Sequence, residues 1–508
     1  MTLPDTLSRV APLDLPPDEF RRLGHALIDR IAEHLEGIRD LPVSRGESPA
    51  QMRAFLGGAS LPGPGAAAGE VLEEAAGLLF GHSLLNGHPR FWGFITSSAA
   101  PLGMLGDLLA ASVNANVGAF VLAPMATEIE RQTVRWIAEL IGYPDSAGGV
   151  MVSGGNMANM VAFLAARRAR ASWDIRGEGL RGGPAQLTLY TSQQTHTWIQ
   201  KAADLFGLGL AAIRWIETDR EQRMRIDALE EAIRRDREAG RLPFLVIGTA
   251  GSVSTGAIDP LRAIAGLCRR EGLWFHVDGA YGAPAAALPE APDDLKALAL
   301  ADSVAVDPHK WLYAPIEAGC TLVRDPRHLV DAFSFHPEYY NFDPSGEGEA
   351  PTNFYEFGPQ NTRGFRALKV WLGLRQAGRE GYVQSIRDDI ALTAVMHDAV
   401  SRHPELQPLT LGLSVSTFRY VPPGRATGSA EDEQYLNTLN ATLLSRLQAG
   451  GEAFVSNAVI DGKYALRACI VNFRTRRDDV EALPEIVVRE GRILAADHDA
   501  SSRRNASD

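Results

Sequence analysis

Residues 301–313 read ADSVAVDPHKWLY. Val304, Ala305 and Val306 form a short apolar run that reads as a buried strand, and Asp307-Pro308 breaks it. Lys310 therefore falls just past a strand end, between His309 and Trp311. At the lip of a parallel sheet, burial favours a lysine's free amine, which can condense with a carbonyl to form a Schiff base. One such lysine is commonplace. Upstream, residues 274–284 (WFHVDGAYGAP) read as a second strand ending at Asp278, and the interval to Lys310 has room for one helix and a return strand. A carboxylate at one strand end and a lysine at a later one is the arrangement pyridoxal phosphate needs. The carboxylate keeps the pyridine nitrogen protonated, and the lysine carries the aldehyde.

Outward from this pair, the chain alternates strand-like and helical runs from about Thr127. A helix over 128–141 is followed by GGVMVSGGNMANMVAFLAARRARA, LTLYTSQQTHTWIQKAADLFG and FLVIGTAGSVSTGAID, then the two strands already quoted. This order predicts an α/β fold, a mostly parallel central sheet with helices on both faces, and ligands held at the carboxyl ends of its strands. Before it, apolar residues from Phe20 to Ile38 follow a helical period, 57–69 (GGASLPGPGAAAG) reads as a linker, and a second helix covers roughly 70–80. After it come a Gly/Pro/Glu-rich loop at 335–353, a helix over 364–376, and a mixture suited to a small α+β unit. The domain reading is an N-terminal helical arm at 1–100, a large cofactor-binding domain at 101–380, a small domain at 381–495, and an unstructured tail at 496–508.

The 508 residues are 45% hydrophobic and 22% charged, the balance of a soluble protein with a large core in two or three units. A net charge of −12 without a dense basic cluster argues against nucleic acid and anionic membranes as partners. The first residues lack the order of a signal peptide, and no apolar run is long enough to span a bilayer. Cys268, Cys320 and Cys469 are far apart, which reads as free thiols in a reducing compartment, the cytoplasm, with no thiolate metal site.

Three further strand ends carry candidate residues. Ser153-Gly154-Gly155-Asn156 joins a strand to a helix, and bare glycine amides at a helix start bind phosphate; alone, the run is also an ordinary turn. His196, after LTLYTS, can stack on a flat heterocycle or serve as a capping or core histidine. Thr249 and Ser252 can donate to a cofactor oxygen, although such clusters are common turn chemistry. Tyr339, in the long loop, has a hydroxyl able to deliver a proton. Gly207-Leu208-Gly209-Leu210-Ala211-Ala212 mimics a dinucleotide turn but follows a helix and precedes a strand, the reverse of what that turn requires. No GxSxG, GxxxxGK[ST] or HExxH is present.

Taken together, HPRFWGFITSSAAP, SGGNMANMVAFLAAR, QQTHTWIQKA, HVDGAYGAP and DPHKW resemble the pyridoxal-phosphate-dependent group II decarboxylases, nearest the aromatic-L-amino-acid branch. The resemblance runs from about Phe20 to about Arg492. It implies a fold type I (aspartate-aminotransferase-like) enzyme and a homodimer with active sites at the interface. It also implies that Lys310 is the Schiff-base lysine, Asp278 the pyridinium partner, Ala280 a neighbour of the ring and His196 the stacking residue. Gly155, Asn156 and His309 fall where the family binds phosphate, and Thr249 aligns with a threonine near the cofactor. Tyr339 matches the loop tyrosine that protonates the substrate carbon after carbon dioxide leaves, and Arg363 an arginine available to the substrate carboxylate.

Two departures bear on substrate and cofactor. The pocket segment runs Phe91-Trp92-Gly93-Phe94-Ile95-Thr96, with Ile95 and Thr96 replacing an aromatic residue and a proline, and Thr362 stands where many members have glycine. Trp92, Phe94, Ile95, Thr96, Thr362 and Arg363 are thus the substrate-side candidates. Asp307 stands where animal members have asparagine, and a carboxylate there would repel phosphate unless turned away. The leading expectation is decarboxylation of an L-amino acid, aromatic by resemblance, to an amine. The alternatives are the family's oxygen-dependent aldehyde synthases, from which Tyr339 argues away, a carbon–carbon lyase on the same fold, and a non-catalytic member.

Overall fold

The computed structural model describes residues 11–335 and 351–505, with side chains to residue 497. Seven strands build the central sheet: β1 (Gly148–Val152), β2 (Leu187–Ser192), β3 (Ile213–Ile216), β4 (Leu242–Thr249), β5 (Trp274–Asp278), β6 (Ser303–Val306) and β7 (Gly319–Val323). Their spatial order is β1-β7-β6-β5-β4-β2-β3. Pairs β2/β3, β2/β4, β4/β5 and β5/β6 are parallel, and β7 runs antiparallel between β1 and β6. Every residue of β2, β5 and β6 is buried, because helices cover both faces of the sheet. The register sets Thr249 beside Asp278 and Asp278 beside Ala305, so the β4, β5 and β6 ends form one edge.

A second, antiparallel sheet of order β10-β11-β9-β8 comprises β8 (Leu406–Gly412), β9 (Val415–Tyr420), β10 (Ser456–Ile460) and β11 (Lys463–Cys469). The helix Ala367–Arg402 joins the two sheets and is broken at Gly378, whose φ of 62° suits a residue without a β-carbon. That break lies beside residue 380, the boundary read from the sequence. The helix Arg477–Asn505 runs through 496–505, where the sequence reading places an unstructured tail. The helix continues unbroken from its apolar, buried stretch at 480–488, so the expectation is corrected.

The N-terminal helices Pro17–Gly37 and Ala68–His82 form as the periodicity predicts, and the first has no buried residue within this chain. Residues 91–92 are less of an arm than expected: Phe91 bridges Phe454, the Trp92 amide donates to the Phe454 carbonyl (2.8 Å), and the Cys469 amide donates to the Trp92 carbonyl (2.9 Å). Among the described residues, no helix is long and apolar enough to cross a membrane.

Candidate active site

A cavity of about 400 Å³ opens where the carboxyl ends of β1, β2, β4, β5 and β6 meet. Gly155, Asn156, His196, Thr249, Asp278, Ala280, His309 and Lys310 all line it, as do Ile95 and Thr96. Its volume lies in the range of small-molecule sites. A larger cavity, about 790 Å³, lies against the helix Pro124–Leu140, lined by Arg135, Phe354 and Trp371, and contains none of these residues.

Each group is held by its own strand end. Asp278 closes β5; one oxygen accepts from Trp198 Nε1 (2.8 Å) and the other from the Ala280 amide (3.2 Å). Two residues earlier, His276 is fully buried between Ser303 Oγ (2.8 Å) and Asn159 Oδ1 (2.7 Å), and burial pushes its pKa down to about 4. It is a neutral strut. His196 sits in the turn after β2, exposed on its outer side, with Nδ1 accepting from the Trp198 amide (3.4 Å). Desolvation of its inner side lowers its pKa, against Asp278, which raises it.

The turn after β6 carries the most charge. Lys310 Nζ lies 3.0 Å from Asp307 Oδ2, and His309 Nε2 lies 3.8 Å from the same oxygen. Asp307 is buried, and its Oδ2 faces both the lysine and the helix start at Gly155. The sequence reading expects burial to free the amine, whereas the structure pairs it with a carboxylate. His309 is fastened through Nδ1 to the Ala318 carbonyl (2.6 Å), and burial lowers its pKa although Asp307 opposes the shift. Ser97 Oγ donates to the His309 carbonyl (2.8 Å), and the Ala100 amide donates to the Tyr313 carbonyl (2.8 Å), so the segment carrying Ile95 and Thr96 is stitched over this turn.

The residues present fit pyridoxal phosphate. The helix Gly155–Arg170 begins without a side-chain cap, leaving its first amides for an anion. A β-carbon on Gly155 would lie 2.6 Å from Asp307 Oδ2 and 3.2 Å from Ala280 Cβ, so glycine keeps this cradle open. Thr249 Oγ1 and Thr96 Oγ1 are buried without a partner among the described residues, as hydroxyls able to donate to a ligand would be.

Four candidates lie elsewhere, and one is outside the described residues. Arg363 is 3% exposed and its guanidinium is used up within the chain, on Glu130 and on the carbonyls of Val117 (2.7 Å) and Met151 (2.7 Å). It braces the sheet instead of facing the cavity. Trp92 is buried in the core of the small sheet, its Nε1 donating to Thr475 Oγ1 (3.3 Å). Phe94 and Thr362 are exposed and do not line the cavity. Tyr339 lies outside the described residues.

The structure also adds residues that the sequence reading missed. Asn159 and Gln194 line the cavity, and Asn159 had a signal, since it stands three residues after Asn156 on one helix face. Arg467, on β11, had none. Its side chain is buried, donates to Ser456 Oγ (2.7 and 3.0 Å) and to the carbonyl of the cavity-lining Val253, and pairs with no carboxylate among the described residues.

A family model described as the pyridoxal-dependent decarboxylase conserved domain matches residues 59–417. The chain is 33% identical over 469 residues to an aromatic-L-amino-acid decarboxylase of Bacillus atrophaeus, covering 92% of this chain and 94% of that one. It is 29% identical to a phenylacetaldehyde synthase of Arabidopsis thaliana, covering 94% and 96%. A solved structure of Oryza sativa TDC with PLP and tryptamine superposes with a TM-score of 0.87 at 28% identity, covering 96% of this chain and all of that one.

Proposed function

The chain belongs to the pyridoxal-dependent decarboxylase family, and from that premise we propose that it removes the carboxyl group of an aromatic L-amino acid to yield the amine and carbon dioxide. It is a pyridoxal-phosphate-dependent amino-acid decarboxylase; the substrate and the residue roles are the proposal. The observation that carries it is the convergence of Lys310, Asp278, His196 and Thr249 on one cavity with an uncapped helix start.

When bound, pyridoxal phosphate supplies an electron-withdrawing ring that accepts the electron pair left behind by carbon dioxide. The chain's own groups do the rest. Lys310 would hold the cofactor through its side-chain amine, at the cavity end nearest Asp307. Asp278, oriented by Trp198 and Ala280, would hold a proton on the ring nitrogen. His196 would cover one face of the ring, while the amides at 154–156 and His309 would hold the phosphate. Tyr339 returns a proton to the substrate carbon.

Orientation of the substrate carboxylate belongs to Arg467 in this reading, not to Arg363. A buried guanidinium with only neutral acceptors is costly unless a carboxylate arrives to pair with it, and Arg467 is so placed, bonded to the carbonyl of the cavity-lining Val253. Arg467→Gln is expected to raise KM about tenfold or more with the protein still folded. Arg363→Gln is expected instead to lower the melting temperature, because it strands the buried Glu130, a loss of about 3–5 kcal/mol. Steady-state kinetics and thermal melts on both variants separate the two roles.

A homodimer is part of the proposal. Leu105, Leu108, Leu109, Val113, Val121, Leu122 and Met125, all within 105–125, are 48–71% exposed within one chain, and such apolar side chains gain by being covered. Phe94 and Thr362, away from this chain's own cavity, would then be available to the partner's site. Sedimentation of the purified protein tests this directly.

The reaction is tested by incubating the holoenzyme with a panel of L-amino acids under air. Amine, aldehyde, carbon dioxide and peroxide are measured in the same samples. Amine with equimolar carbon dioxide and no peroxide is the expected result. Aldehyde with peroxide would place the chain with the synthases instead.

A further inference from the structure

We propose that Asp389 is a positioning residue for Lys310: its buried carboxylate clamps the turn 310–313 to the helix joining the two sheets, and protonation of that carboxylate loosens the turn. Asp389 is 2% exposed on the helix Ala367–Arg402. Its Oδ2 accepts from Trp311 Nε1 (2.9 Å) and from the Tyr313 hydroxyl (2.7 Å), the first and third residues after Lys310. The backbone amide of Asn472, just past β11, is a third donor. One carboxylate thus gathers the lysine turn, the connecting helix and the end of a small-sheet strand.

The surrounding contacts make the clamp stiff. Trp311 is fully buried and stacks on Tyr281, which lines the cavity, with ring centres 4.8 Å apart. Tyr313 holds a φ of 53°, uncommon for a tyrosine, and lies between Tyr382 and Phe473. The Tyr382 hydroxyl, from the same helix as Asp389, donates to the Leu312 carbonyl (3.1 Å). A residue with such backbone geometry next to a functional turn must be over-determined by its neighbours, and Asp389 supplies the charged contact among them.

The groups facing Asp389 are known from every side. Asp388 and Tyr382 share its helix, Tyr313 comes from the lysine turn, and Cys469 from the end of β11 lies close enough to feel its charge. None of these is a cation. Burial therefore pushes the Asp389 carboxyl up to about 7, against the donors that favour ionisation. Bonds accepted by a carboxylate are roughly twice as strong as those accepted by a neutral acid, so the three contacts weaken together on protonation. Overall folding follows the opposite sign. A carboxyl raised from 3.8 to about 7 adds stability below about pH 4 that is lost as the pH rises through 7.

The inference rests on Lys310 being the cofactor lysine, and the test keeps the two apart. Holoenzyme loaded with pyridoxal phosphate is titrated from about pH 5 to about pH 9, following the absorbance of the lysine-bound cofactor, with melting temperature and kcat recorded at each pH. In the unaltered protein, a spectral transition near pH 7 is expected. Asp389→Asn should abolish that transition, flatten the pH dependence of melting, and lower kcat about tenfold with KM little changed. Tyr313→Phe removes one donor and should move the transition up by about one pH unit. It carries the test if Asp389→Asn fails to fold. Wild-type spectra and kcat in Asp389→Asn, or a uniform loss of melting temperature with the transition unmoved, would overturn the proposal. A holoenzyme lacking any lysine-bound band would overturn the role given to Lys310, while melting curves that stay equally pH-dependent in Asp389→Asn would overturn the clamp itself.

Discussion

Lys310→Ala is expected to remove turnover by about 10⁴-fold or more, the scale on which a covalent catalyst's reactive group is lost. The same substitution has a second consequence peculiar to this chain. Lys310 Nζ is the close cation on Asp307, which is 1% exposed, and removing it leaves a buried carboxylate without its partner. A loss of about 3 kcal/mol in urea unfolding of the cofactor-free protein follows. Asp307→Asn in the Lys310→Ala background should recover most of it, since no stranded charge then remains. Lys310→Ala protein that still turns over would remove this lysine from the mechanism. A double substitution no more stable than the single one would show that the Asp307–Lys310 contact contributes little.

Asp278→Asn is expected to cost between about a hundredfold and a thousandfold in kcat, the range for losing one preorganised electrostatic partner of the reacting centre. The neutral amide cannot hold a proton on the ring nitrogen as a carboxylate does. Its oxygen can still accept from Trp198 Nε1, so the turn at Ala280 and the melting temperature should change little. Cofactor content, measured by absorbance after dialysis, should stay near that of the parent. A variant that retained full kcat would break the link between Asp278 and the ring.

Legibility differed from residue to residue, for physical reasons. Lys310, Asp278, Thr249, His196 and Gly155 could be found because each lies at or within four residues of the end of an apolar run, and strand ends in a parallel sheet converge on one edge. Trp92 and Arg363 were misplaced because the sequence shows an aromatic or a cation without showing what it meets. Trp92 met the core of the small sheet, and Arg363 met Glu130. Arg467 went unseen because β11 reaches the cavity's rim only through the packing of one sheet on the other.

By itself, the sequence determined the alternation of strands and helices, the side of the sheet on which the chemistry sits, and the cofactor that chemistry calls for. These follow from local periodicity and from residues at strand ends, where neighbours in sequence are neighbours in space. Only the tertiary structure decided which charges pair. It set Asp307 on Lys310, Glu130 on Arg363, and Asp389 under Trp311 and Tyr313. It left Arg467 without a carboxylate among the described residues. Within the protein, a charge's role depends on burial and on its nearest counter-charge, and both are set by contacts between segments far apart along the chain.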